Sequence, residues 1–319
     1  MTAATDLLSP AGAGFTETRS ASRLFWLRFR EDKAAMFAAS VILLLVLIAI
    51  FGGPLAAWIT GHPSIRAYNN TMLDDFGVPR GPNSTFWFGA DGAGRDLFVR
   101  TMYGARTSLF VGVVASGIAV IVGLLVGLTA GFFGGWVDTA LSRVGDVMLA
   151  LPSLLISIGI VAACNASNTG CLHGLIQQGL RVVIAVIAFF TWPYIARIVR
   201  GFTLSIREKE FVEASRSLGA SNTRIIFREV LPNLIGPLIV YTTLLIPQNI
   251  LFEAALSYLG LGVNGDIASW GGLLNDAQTY YDVAWWLMLF PGMFLVLTTL
   301  AFNLLGDGLR DALDVRADR

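Results

Sequence analysis

Apolar residues in this chain gather into six long runs, at about 36–58, 107–133, 147–163, 180–199, 233–259 and 284–305, each bounded by charge, Gly or Asn. The centre of the first, 41–51, carries no polar side chain. A helix rises about 1.5 Å per residue and bilayer hydrocarbon is about 30 Å thick, so each run is long enough to cross a membrane. The pattern predicts an all-α polytopic membrane protein with six transmembrane helices. An even number of crossings returns both termini to one side.

The polar stretches between runs settle which side. With the amino terminus inside, 16 of the 22 Lys and Arg fall in inner segments, among them Arg28, Arg30 and Lys33 before the first run and seven between Arg197 and Arg228. Cationic residues in short loops favour the cytoplasm, so both termini are expected there. A cleaved signal peptide is the competing reading of the first run. About 35 residues precede it, Glu31 and Asp32 lie beside it and it exceeds an h-region, so it is expected to stay.

Residues 1–20, rich in Ala, Gly, Ser and Thr without a period, read as a disordered tail. Residues 23–33 mix Leu24, Phe25, Trp26, Leu27 and Phe29 with basic residues, as in an interfacial helix or a plain positive flank. Between the first two runs, some 48 residues broken by Gly61, Pro63, Gly77, Pro79, Gly81 and Pro82 form an external excursion. It ends in a glycine turn before a helix that Asp91 is placed to cap. The chain thus divides into a tail (1–22), an interfacial helix, first span and external segment (23–106), a five-helix core with inner loop 201–232 (107–306), and a second tail (307–319).

Inside the runs, small and polar residues carry the information. Ala119, Gly123, Gly127 and Gly131 recur every four residues, a face on which another helix of this bundle or of a partner can close. In the fifth run Gln248 and Asn249 follow Pro247, and Glu253 lies one turn further, about 10 Å from the centre of the span. Such a group lines a translocation pathway or outer gate, or is a bundle-facing carboxyl paired with a neighbouring helix; both readings stay open. Cys164 and Cys171 share an outer loop, CNASNTGC, whose spacing suggests a local disulfide, with two free thiols as the alternative. His173 is the only histidine near them, which leaves a metal site short of ligands.

Composition narrows the function classes. At 55% hydrophobic and 14% charged, the chain is too apolar for a single soluble core. Zero net charge leaves no basic field for nucleic acid. A phosphate-binding Gly-x-x-x-x-Gly-Lys-Ser/Thr loop is impossible, because the only lysines, Lys33 and Lys209, follow Asp32 and Glu208. His-Glu-x-x-His, Gly-x-Ser-x-Gly and Cys-x-x-Cys are also missing, which disfavours a membrane enzyme. A channel, a secondary transporter or a permease powered by a partner remains. A secondary transporter would show inverted halves, and no internal repeat is visible.

The inner loop, 201–232, reads GFTLSIREKEFVEASRSLGASNTRIIFREVLP. Residues 207–218 have helical composition, with Phe211, Ala214, Ser215 and Leu218 at i, i+3, i+4 and i+7 on one weakly apolar face. Gly219 is suited to end that helix through a left-handed residue, a second short helix fits 222–229, and Pro232 suits the first turn of the next span. A rigid knob of this kind fits a groove on a partner. A solvated connector is the plainer alternative.

Glu213-Ala214-Ser215, Gly219 four positions later and the closing Leu231-Pro232 resemble the E-A-A, G and L-P signature of permease subunits in binding-protein-dependent ABC importers, with Ser215 where Ala is usual. Two further segments are similar to the C-type permease of dipeptide and oligopeptide importers. One runs from Gly89-Ala90-Asp91 through Gly94-Arg95-Asp96 to Tyr103-Gly104-Ala105-Arg106, with Ala90 for the usual Thr and Val99 for Ser; the other runs from Asn303 to Asp314. The resemblance covers about 23–314. It implies a type I ABC importer permease fold in a bacterial inner membrane. It also implies that Phe211, Glu213, Ala214 and Gly219 couple the chain to an ATPase, with Ser215, Leu231 and Pro232 completing the motif. The implied partners are a homologous permease subunit forming a heterodimer, two ATPase subunits and an external substrate-binding protein. No cofactor is implied for this chain, since ATP and magnesium are bound by partner subunits. Peptide is the implied cargo, with nickel or another small solute as the alternative.

Overall fold

The computed structural model describes residues 21–167, 170–171, 174–262 and 266–313. Residues 1–20 of the first expected tail, 314–319 of the second and His173 lie outside the described residues, whereas 307–313, expected in the second tail, continue the last helix to Leu313. Every regular element among those described is a helix, accompanied by isolated bridges. In chain order they are α1 (Ala21–Glu31), α2 (Lys33–Thr60), the single turn α3 (Asn69–Met72), α4 (Leu97–Phe133), α5 (Gly135–Ala150), α6 (Ser153–Ala166), α7 (Leu180–Arg207), α8 (Glu210–Ser217), α9 (Asn222–Tyr258), α10 (Trp270–Ala277) and α11 (Trp286–Leu313).

Five of these, α2, α4, α7, α9 and α11, are long and apolar enough to span a bilayer. The run at 147–163 predicts one straight helix, and here the structure differs. α5 and α6 meet at 84° across Leu151 and Pro152, and this bent pair, apolar enough to make a sixth crossing, has the shape of a broken span or a re-entrant loop. Proline has no N–H for the helix ladder and drives the residue before it into extended backbone, which is where Leu151 lies, at φ −75° and ψ 139°. The 222–229 stretch differs too. It is the first part of α9, joined to the span through a π turn at Ile226–Val230. There the Leu231 N–H donates to the Ile226 carbonyl, five residues back, which is the π pattern, and Pro232 follows in the first turn of the span.

Polar caps set where the helices begin. Asp32 accepts from the Ala34 and Ala35 amides at 2.9 and 3.1 Å and starts α2 against α1. α4 starts at Asp96, whose Oδ1 accepts from Phe98 at 2.9 Å and Val99 at 3.3 Å. Asp91, expected as that cap, does something else. It accepts from the Ala93 and Arg95 amides and pairs with the guanidinium groups of Arg95 at 2.8 Å and Arg100 at 3.0 Å, fully buried. Its side chain is used up within the glycine turn, five residues before the helix starts. With 37 residues α4 is about 55 Å long, well beyond the hydrocarbon, so its first turns project and the 61–96 excursion folds onto them. His62 closes that fold, its Nδ1 2.7 Å from Asp96 and its ring stacked on Phe86 at 4.4 Å.

The small-residue face of α4 packs within this chain, on α7. A Cβ at Gly123 would stand 2.7 Å from Ile195, one at Gly131 2.7 Å from Thr203, and one at Gly127 would overlap the Ala196 carbonyl oxygen. Close backbone approach is what holds helices together where lipid gives little hydrophobic drive.

Candidate functional site

α8 lies between the ends of α7 and α9, and its direction follows from its two caps. Lys209 enters it in extended conformation, φ −81° and ψ 146°. At the other end Gly219 has φ +79°, with its N–H donating to the Arg216 carbonyl at 3.0 Å and the Ala220 N–H to Ser215 at 3.1 Å. These two bonds form a Schellman cap, which needs a left-handed residue at the Gly219 position. Ser221 Oγ then accepts from Arg224 N and starts α9 two residues later.

One side chain fixes α8 to the bundle. Val212 is fully buried in one cluster with Phe132, Val199, Ile225, Val230 and Leu234, side chains drawn from α4, α7 and α9. The face read from sequence as apolar faces away from them: Phe211 is 42% and Leu218 89% exposed. Glu213, Ala214, Gly219 and Pro232 are exposed as well, while Ser215 and Leu231 are half-buried, Ser215 Oγ donating to Glu229 at 3.4 Å. Sequence reasoning missed Val212. Its neighbours three and four positions on are Ser215 and Arg216, so no apolar period marks it. Arg207 adds a second tie, donating to the Gly131 carbonyl at 3.0 Å at the carboxyl end of α4, where a cation suits the helix dipole.

Two ion pairs that the sequence reading did not single out lie nearby. Arg200 is bonded to Asp138, and Arg197 Nη2 to Asp146 at 2.7 Å. They hold α5 to α7 around a cavity of about 340 Å³ lined also by Ser142, Trp192 and Pro193. None of the residues of α5 is buried, and besides these pairs the partly buried Met148 packs on the core cluster of α6 and α7.

At the far end of α9 the polar residues separate. Gln248 is exposed. Asn249 is buried, donating to Ser116 Oγ on α4 at 2.8 Å. Glu253 has no exposed surface: Ser108 Oγ on α4 donates to it at 3.0 Å and Ser257 Oγ at 2.6 Å. Ser108 Oγ in turn accepts from the Trp270 amide of α10 at 3.2 Å. Glu253 is therefore a bundle-facing carboxyl satisfied by hydroxyls from two helices. Cys164, which lies in the last turn of α6 and not in a loop, is joined to Cys171 beyond that helix as a disulfide with Cα atoms 4.9 Å apart, and Gly170 between them has φ +79°.

The family profile described as the binding-protein-dependent transport system inner membrane component matches residues 123–319, more than half of the chain. This chain belongs to that family. It is a membrane permease subunit of an ATP-binding-cassette importer. A second profile, the N-terminal transmembrane domain of oligopeptide transport permease C, matches residues 20–72 of the permease. Among curated proteins, the permease is 38% identical to the oligopeptide transport system permease protein OppC of Bacillus subtilis, over 95% of its own length and 94% of that protein. Identity is 40% with the dipeptide transport permease DppC of Alkalihalophilus pseudofirmus, covering 90% and 87%. It is 39% with the glutathione transport permease GsiD of Escherichia coli, covering 91% and 89%. Among solved structures, an inward-facing form of the MetNI methionine ABC transporter superposes with a TM-score of 0.54 at 18% identity, covering 67% of the permease and 96% of that chain. The fold is the type I importer permease fold, with α1 and part of the excursion lying in the region matched by the second profile.

Proposed function

We propose that the permease imports short peptides as one half of a heterodimer, driven by two ATPase subunits that bind α8 of each half and supplied by an external binding protein. The carrying observation is the attitude of α8: one buried side chain, Val212, seats it, while Phe211, Glu213, Ala214, Leu218 and Gly219 stay outside the chain's own packing. The chain has no nucleotide-binding loop, so its work must come from a neighbour, and a rigid exposed helix between two spans is suited to fill a groove on one. ATP and magnesium belong to those neighbours. The charge distribution supports an orientation with α8 and both termini in the cytoplasm and the 61–96 excursion outside, on the side of the binding protein.

Peptide cargo is supported by the relatives named for oligopeptide, dipeptide and glutathione transport, glutathione being itself a tripeptide. ATP binding draws the two α8 helices together and opens the bundle outward; hydrolysis resets it. Gln248, exposed on α9, is the candidate for the route, and Asn249 and Glu253 support it from the bundle side. The test is uptake by the complete complex in vesicles enclosing ATP, given an equimolar mixture of di- and tripeptides with the binding protein outside. Peptides found in the lumen only when ATP is enclosed support the proposal. Uptake independent of ATP, or of no peptide, overturns it.

A further inference from the structure

Glu253 lies at a depth where a carboxyl is costly, and apolar side chains would join α9 to α4 more cheaply. What the polar arrangement adds is a third helix. Ser108 of α4 donates to Glu253 of α9 and accepts from the first amide of α10, so three helices meet at one hydroxyl. α10 is fastened on both sides. The fully buried Trp270 donates from its indole to the Thr101 carbonyl of α4 at 3.1 Å, and the amides of Asn275 and Gln278 donate to the carbonyl of Tyr258, the last residue of α9, at 2.7 and 2.8 Å. Gly271 leaves no room between α10 and Ala254 of α9.

α9 is continuous from just after α8 to Tyr258, with Pro237 and Pro247 inside it as points of weakness. A push received at α8 therefore either travels to α10 or is lost as bending at the prolines. We infer that Glu253 is a positioning residue for transport: through Ser108 it holds α10 and the far end of α9 in register with α4, so that displacement entering at α8 moves the opposite end of the bundle. This role rests on the proposed driving of α8 by ATPases.

The test compares Glu253→Gln, Ser108→Ala and Ser257→Ala in the complete reconstituted complex, reading peptide taken up from the di- and tripeptide mixture per ATP hydrolysed. Ser108 links helices, whereas Ser257 bonds Glu253 from one turn along the same helix. Ser108→Ala and Glu253→Gln, which cut the link between helices, are expected to lower uptake per ATP by about tenfold or more, and Ser257→Ala, whose equally buried bond joins no second helix, to leave the ratio within about twofold of the unaltered complex. A merely structural role would lower the amount of assembled complex and leave the ratio alone. Equal ratios for Ser108→Ala and Ser257→Ala overturn the inference, and this contrast decides even if Glu253→Gln fails to assemble. An unaltered complex that moves peptide without hydrolysis would instead refute the driving of α8, which separates the two failures.

Discussion

Gly219→Pro in the assembled transporter is expected to abolish uptake while the subunit still inserts and reaches the membrane in normal amount. Gly219 sits at φ +79°, and proline fixes φ near about −65°, so the Schellman turn cannot form around it. The substitution also removes the N–H that donates to Arg216 at 3.0 Å. Together these cost about 3 kcal/mol or more locally. α8 has eight residues and one buried side chain, and the Gly219 turn is one of the two caps that set its direction. Gly219→Ala tests the mechanism by degree: a left-handed alanine costs about 1–2 kcal/mol, and uptake should fall in part. ATP-driven uptake in vesicles, normalised to subunit present, is the measurement; full activity of the proline variant would sink the coupling role of α8.

Glu213→Lys is expected to abolish uptake by a different route, with the fold untouched. Glu213 is exposed in the first turn of α8, where a carboxylate suits the helix dipole, and reversing its charge costs the subunit only about 0.3–1 kcal/mol. The loss must then lie at the surface it faces. Copurification of the ATPase subunits with the variant should fall in step with uptake, while thermal stability of the permease stays within a few degrees of the unaltered chain. Normal copurification and uptake would show that this carboxylate faces no partner.

Much of this was legible in the chain because lipid simplifies the code. Where backbone polar groups must be satisfied internally, an apolar run means a helix, and the spans follow almost directly. The stripe of Ala119, Gly123, Gly127 and Gly131 announced a close helix contact, though only the structure assigns it to α7 rather than to a partner. Local chemistry was read well at Gly219, whose need for positive φ is written in its position after a helical stretch.

The misses share one cause, that pairing at a distance leaves no local pattern. Val212 seats α8 without apolar neighbours at helical spacing, and hydropathy alone points to Phe211 and Leu218, which face outward. Asp138 meets Arg200 across 62 positions of chain. Asp91 and Asp96 stand in similar glycine-rich surroundings, and which of them caps α4 depends on Arg95 and Arg100 folding back to claim Asp91. Pro152 was visible as a residue, but the 84° angle between α5 and α6, and the pairing of α5 with α7 through Asp138 and Asp146, was not.

The most direct measurement is cross-linking from the tip of α8. Leu218 is 89% exposed and beside the turn, so Leu218→Cys carries a short thiol-specific cross-linker without disturbing packing. In the complete complex it is expected to capture an ATPase subunit, more strongly with ATP bound, and to be labelled only by reagents that reach the cytoplasmic face. Labelling from outside intact cells, or a product containing no nucleotide-hydrolysing protein, would contradict the claim that work enters this permease through α8.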